Sequence, residues 1–117
     1  MYANLQRAQL LGAHLEESVF AFANLKGARF IDAHLNDTNF LGADLEGAHF
    51  DGANLVGAKF EWATLKKARF NSANLRKADL QHALGLTQEQ IDKAFCDEET
   101  KLPAGLMIKT HSEDNLA

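Results

Sequence analysis

Large apolar residues recur at every fifth position from Leu5 to Leu80, all of them Leu or Phe. The residue two places before each is Ala, Ser or Thr. The position between them is mostly polar, and two further residues complete each unit, as in Ala3-Asn4-Leu5-Gln6-Arg7. A fixed period of this kind is read at the level of the repeat before any single residue is interpreted. On an α-helix a step of five advances the chain so that successive centres fall about 140° apart, and no apolar stripe forms. On an extended chain Ala3 and Leu5 point to one side and Asn4 to the other. Each unit is therefore predicted to be a very short strand followed by a two-residue turn. Four turns close a square rung of about twenty residues, and stacked rungs pair at about 4.8 Å.

Six of the eight glycines (Gly12, Gly27, Gly42, Gly47, Gly52 and Gly57) stand two after a centre, at the corner. Glycine admits the positive φ that tight turns often need. Other corners carry Arg7, Phe22, Trp62 or Lys67, so positive φ is not expected at every corner. Tandem Ala-Asn-Leu-x-x, Ala-Asp-Leu-x-x and Ala-x-Phe-x-x units resemble the pentapeptide-repeat family. The resemblance covers residues 3–82; Ser18 and Thr38 at the small position and Val19 beside Phe20 are mild departures. It implies an all-β solenoid, a right-handed quadrilateral β-helix, which in this chain would have four coils.

The square register sorts the centres by wall. Leu5, Leu25, Leu45 and Leu65 form one wall, and Leu15, Leu35, Leu55 and Leu75 the opposite one. Between them stand Leu10, Phe30, Phe50 and Phe70 on one side and Phe20, Phe40, Phe60 and Leu80 on the other. These sixteen residues are the predicted core ladder, with two stacks of Phe inside it. Alanine at the small position is steric, because a larger residue would overpack a narrow core. No pore or ligand cavity is expected.

Three segments are expected: a repeat body over 1–82, a C-terminal cap over 83–106 and a flexible tail over 107–117. A β-solenoid exposes a sheet edge at each end, and edges need cover. Thr87 with Gln90 three later makes a capping box, and Leu86 and Ile91 occupy the staple positions. A short capping α-helix is therefore predicted over about 88–95, with Ile91, Ala94 and Phe95 as its apolar side. An acidic turn at 96–100 and an extended return at 101–106 should follow; such tails are similar to those of many members of the resembled family. At the other end only Met1 and Tyr2 precede the first unit. The outward positions of the early coils are unusually apolar: Leu11, Val19, Phe22, Ile31 and Leu41, with Trp62 further along the Phe22 column. Such a patch marks a candidate interface. The expected contact is a homodimer through the N-terminal end or the Phe22/Trp62 face; an excised upstream domain is the other explanation.

Composition narrows the function classes. The net charge is −4, and residues 3–82 carry nine acids and nine bases, so the body is neutral and direct nucleic-acid binding is not expected. Charge is nevertheless uneven: the coil over 63–82 is basic through Lys66, Lys67, Arg69, Arg76 and Lys77. The simplest account is that Asp97, Glu98 and Glu99 fold back against it; an anionic partner is the alternative. No apolar run reaches membrane-spanning length, and no leader is recognisable. The lone Cys96 rules out an intrachain disulfide and fits a reducing, cytoplasmic setting. It reads as an ordinary side chain rather than a reactive thiol.

His14 and His34 fall on equivalent positions of adjacent coils, in a column that continues with Asn54 and Asn74. A solvated polar ladder is expected there and no metal site, Glu16, Glu17 and Asp37 lying beyond a corner. His49 stands between Arg29 and Arg69. No catalytic, cofactor-binding or phosphate-binding constellation is found, and paired carboxylates such as Asp44 and Glu46 sit on a convex surface with no cleft. An enzyme is not expected. The reading is a non-catalytic structural or protein-interaction module. The alternative, implied by the resemblance, is a DNA mimic that engages DNA gyrase and gives quinolone protection. Against it, duplex DNA carries one negative charge per roughly 1.7 Å, whereas this body is neutral. Four coils also span only about 19 Å.

Overall fold

The computed structural model describes residues 3–108. Backbone pairing is parallel and joins residues twenty apart, in four columns. They run Asn4↔Asn24↔Asp44↔Thr64, Gln9↔Arg29↔His49↔Arg69, His14↔His34↔Asn54↔Asn74 and Val19↔Asn39↔Lys59↔Asp79. The paired residue is in each case the polar middle of a unit. Its N–H donates to the small residue of the previous rung, as in Asn24 to Ala3 at 2.9 Å, and its carbonyl accepts from the earlier centre, as from Leu5 at 2.7 Å. Strands this short cannot stabilise themselves, so successive rungs must do it for one another.

Each corner is closed by a hydrogen bond from the next small residue back to the centre, Ala8 N–H to Leu5 C=O at 3.0 Å being the first. The residue two after the centre then has positive φ. This holds at the six corner glycines and equally at Arg7, Glu17, Phe22, Asp32, Asp37, Trp62, Lys67, Ser72, Lys77 and His82, with φ between 58° and 73° throughout. The expectation that only some corners need this conformation is therefore corrected. Positive φ at the third residue of a four-residue hydrogen-bonded turn is the type II pattern. The left-handed region costs a non-glycine residue about 1–2 kcal/mol. The closing turn bond and the pairing of the corner N–H with the next rung, Arg7 to Lys26 C=O at 2.8 Å for example, hold the residue there despite that cost.

Inside, the small residues and centres from Ala23 to Leu80 are buried. Phe30, Phe50 and Phe70 stack on one side, with centroids 5.1 and 5.2 Å apart. Phe20, Phe40 and Phe60 stack on the facing side at 5.6 and 5.0 Å. The two stacks meet edge to face, as Phe50 and Phe60 do at 5.8 Å and 86°, the geometry that ring quadrupoles favour. Leu5, Leu10, Leu15 and Phe20 are only partly buried. Thr38 fits a small position because its hydroxyl donates to Leu15 C=O at 3.1 Å.

After residue 82 the rung is continued with insertions. Leu84 pairs with Thr64 in register, Phe95 with Asn74 one residue late, and Lys101 with Asp79 two late. On the remaining side stands α1, Gln88–Asp92, begun by the Thr87/Gln90 capping box. The helix is shorter than the 88–95 expected. Phe95 is taken by the pairing with Asn74, its N–H bonded to Ala73 at 2.8 Å, so the chain must leave the helix before it. Phe95 accordingly faces outward, with the Arg76 guanidinium 5.6 Å above its ring, while Ala94 turns inward. Most of the expected tail, residues 109–117, lies outside the described residues.

Candidate interaction surfaces

The walls and corners leave only convex surfaces, so the candidate sites are columns of outward side chains. Of the six apolar positions, Val19 is 72% exposed, Trp62 56%, Leu11 54% and Phe22 49%. Ile31 and Leu41 are half-buried. The register divides them. Val19, Phe22, Leu41 and Trp62 lie on the fourth wall and the corner after it, whereas Leu11 and Ile31 share the corner after the second wall, diagonally across the rung. The Phe22 ring lies over Gly42, and Trp62 stacks on His82 at 4.7 Å with the rings 9° from parallel.

The two ends of the described chain differ. Past the rung 63–82, the carbonyls of Ala63, Ala73 and Ala78 accept from the N–H groups of Leu84, Phe95 and Lys101. On the wall occupied by α1, the carbonyl of Ala68 accepts instead from the Gln90 side-chain amide at 2.7 Å, and the same amide donates to Leu65 at 2.8 Å. Gln90 also accepts from Thr87 N–H at 2.7 Å. One side chain thus replaces the backbone donor that the helix removes. Sequence reasoning found the capping box but not this second role. At the rung 3–22 the N–H groups of Gln9, His14 and Val19 find no backbone acceptor among the described residues.

The acidic segment does fold back, but not as ion pairs. Asp97 accepts from the backbone N–H of Lys77 at 3.1 Å and of Glu99 at 3.0 Å. Slight desolvation works against its charge, yet these donors hold its carboxyl below the usual carboxylate range. Arg69 pairs with Asp51 at 2.8 Å and Lys26 with Asp44 at 3.6 Å. Cys96 is a free thiol, and burial pushes it up to about 11.

His14 and His34 stack with centroids 4.2 Å apart and planes 6° from parallel. Glu16, expected to lie beyond a corner, instead turns back, its carboxylate 3.6 Å from His14 Nδ1. Asp37 lies over Gly57. The backbone N–H of Glu16 itself, and then His14, hold the Glu16 carboxyl below its usual range. Among the described residues, no helix is long and apolar enough to cross a membrane.

This architecture is shared with solved structures. A pentapeptide repeat protein from the Arabidopsis thaliana thylakoid lumen is 24% identical, with a TM-score of 0.56; the match covers 97% of this chain and 74% of that one. QnrB1, a plasmid-mediated fluoroquinolone resistance protein, is 18% identical with a TM-score of 0.52 over 82% of this chain and 58% of its own. The pentapeptide repeat protein Rfr23 from the cyanobacterium Cyanothece 51142 is 31% identical over 85% of this chain and 63% of its own, with a TM-score of 0.40. The chain thus spans less than two thirds of the last two. No curated protein matches it significantly in sequence. The pentapeptide-repeats family model matches over residues 1–37, 28–66 and 53–83, well over half of the chain. Proteins of that family fold as right-handed quadrilateral β-helices, and this chain belongs to the pentapeptide-repeat family.

Proposed function

We propose that the chain is a non-catalytic protein-interaction module: four regular coils over 3–82, closed at the far end by residues 83–106 acting as a cap. The observation that carries the reading is the contrast between its ends. Residues 84–101 give the open carbonyls of the last regular rung hydrogen-bond donors. The rung 3–22 keeps unpaired N–H groups beside Leu5, Leu10, Leu15 and Phe20, which are less buried than their counterparts one rung on. An edge that is both apolar and unpaired favours pairing with another chain. The occupant we assign is a second copy, meeting the rung 3–22 and the adjoining Val19/Phe22 corner. A convex body with no cleft supports binding rather than chemistry, and a reducing, cytoplasmic setting goes with the free thiol.

Light scattering behind a sizing column tests this directly. The parent should run as a dimer, and Val19→Asp or Phe22→Asp, both at exposed positions, should shift it to monomer with an unchanged circular dichroism spectrum. A monomeric parent at tens of micromolar would refute the self-association. The likeness to QnrB1 concerns the fold, and the neutral body argues against DNA mimicry. A gyrase supercoiling assay separates the two readings, since inhibition at low micromolar concentration would favour the mimic.

A further inference from the structure

His14, His34 and Glu16 form a group that the interaction reading does not use. Their ligand atoms, two imidazole nitrogens and a carboxylate oxygen, all lie within 4.8 Å of one another. The backbone fixes two of the three, because His14↔His34 is a parallel pairing and both side chains leave the wall in the same direction. Adjacent rungs hold the rings 4.2 Å apart, and the carboxylate comes from the turn that follows His14.

We propose that His14, His34 and Glu16 bind a divalent transition metal of the zinc class, with the remaining coordination position open to water or to a donor from a partner. Two nitrogens and one oxygen suit zinc better than calcium or magnesium, which take oxygen ligands. Zn–N bonds of about 2.0–2.1 Å place tetrahedral nitrogens about 3.3 Å apart. The rings must therefore tilt toward each other by roughly 1 Å at their tips. His14 has the freedom to do so, being 73% exposed at its side chain, and Glu16 is 46% exposed. The ion would offset the negative charge of Glu16 and cross-link the rung 3–22 to the rung 23–42, where the core is least buried.

Zinc titration by calorimetry, on protein first treated with chelator, tests the site. The parent should bind one Zn2+ per chain and melt at a higher temperature when it does. His14→Asn and His34→Asn keep the fold, because the same column carries asparagine at Asn54 and Asn74. Each should weaken Zn2+ binding by about tenfold or more, and Glu16→Gln should weaken it measurably. His49→Asn, His82→Asn, His111→Asn and Cys96→Ser should leave it unchanged. Absence of binding at micromolar Zn2+ overturns the proposal. So does binding that survives His34→Asn, or that is lost in one of the four control variants.

Discussion

Truncating Phe50 to alanine should cost far more than the same change at Phe20, although both occupy the same position of the repeat. Phe50 is fully buried. It stacks on Phe30 and Phe70 at 5.1 and 5.2 Å and meets Phe40 and Phe60 edge to face at 5.7 and 5.8 Å. Removing it takes away the burial of a whole ring and leaves a cavity that rungs locked by backbone pairing cannot collapse into. Phe→Ala changes in such sites cost about 3–5 kcal/mol, and the upper half of that range is expected here. Phe20 is partly buried and touches only Phe30 and Phe40, at 6.1 and 5.6 Å. About 1.5–3 kcal/mol should be lost there, close to the transfer term alone. Phe50→Leu should fall below both, at about 1–1.5 kcal/mol, because leucine fills the equivalent place at Leu10 and Leu80. Urea denaturation followed by circular dichroism reads all three. Equal losses for Phe20→Ala and Phe50→Ala would refute the account, as would a Phe50→Ala loss of less than about 1 kcal/mol.

Other consequences are as direct. Gly42→Ala would bring a Cβ within 2.5 Å of the Phe22 ring, whereas at Gly47 nothing lies within 4 Å. Thermal melts should show Gly47→Ala costing about 1 kcal/mol or less and Gly42→Ala about 1–2 kcal/mol more. Adding Phe22→Ala to Gly42→Ala should recover most of the excess, and a strictly additive pair would contradict the contact. Gln90→Ala leaves Ala68 C=O and Thr87 N–H unpaired, at a cost of about 1–3 kcal/mol. The amides of Ile91 and Phe95 should then exchange with solvent much faster while that of Asn54 does not, and uniform acceleration would count against a local role. The Cys96 thiol, ordinarily near 9.0, is pushed up to about 11 by burial, so the unfolded chain loses this proton first. Its contribution to stability is whole below about pH 9 and is lost as pH rises through about 11. Iodoacetamide at pH 8 should modify native protein far more slowly than protein in urea; equal rates would show the thiol to be open.

The repeat and its inward positions were legible because a period of five admits one simple solution: two inward residues, one outward, and a turn. What the residues concealed was the geometry of the corners. Arg7, Phe22 and Trp62 look like residues that avoid positive φ, and judged one at a time they do. Four backbone hydrogen bonds per unit outweigh a local preference of about 1–2 kcal/mol. The end of the helix was hidden for a related reason. Ile91, Ala94 and Phe95 fit an apolar helical side, yet Ala94-Phe95-Cys96 and Thr100-Lys101-Leu102 also follow the small–outward–apolar grammar of the repeat. Pairing with Asn74 and Asp79 selected the second reading. Glu16 was misplaced because a corner was taken as a barrier, although its side chain is long enough to turn back to His14.

The corners also explain why glycine sits where it does. Since ten other residues adopt the same φ, conformational freedom is not what distinguishes the glycine corners. Space is. A Cβ at Gly42 would strike Phe22, at Gly52 Asp32, at Gly57 Asp37, and at Gly27 it would come within 3.4 Å of Arg7; each of these neighbours lies one rung earlier. Gly47, which follows Gly27 in its column, meets nothing. Corner side chains therefore lean toward the following rung, and a bulky one is followed by glycine, which leaves it room to lie flat. The columns Phe22-Gly42-Trp62 and Gly12-Asp32-Gly52 follow this order. His14 and His34, on a wall rather than a corner, stack instead. The surface is thus set column by column in steps of twenty residues, largely independent of the Leu and Phe core beneath it. One inner framework can therefore carry unrelated outer faces, and the identity of a partner must be sought in the outward columns.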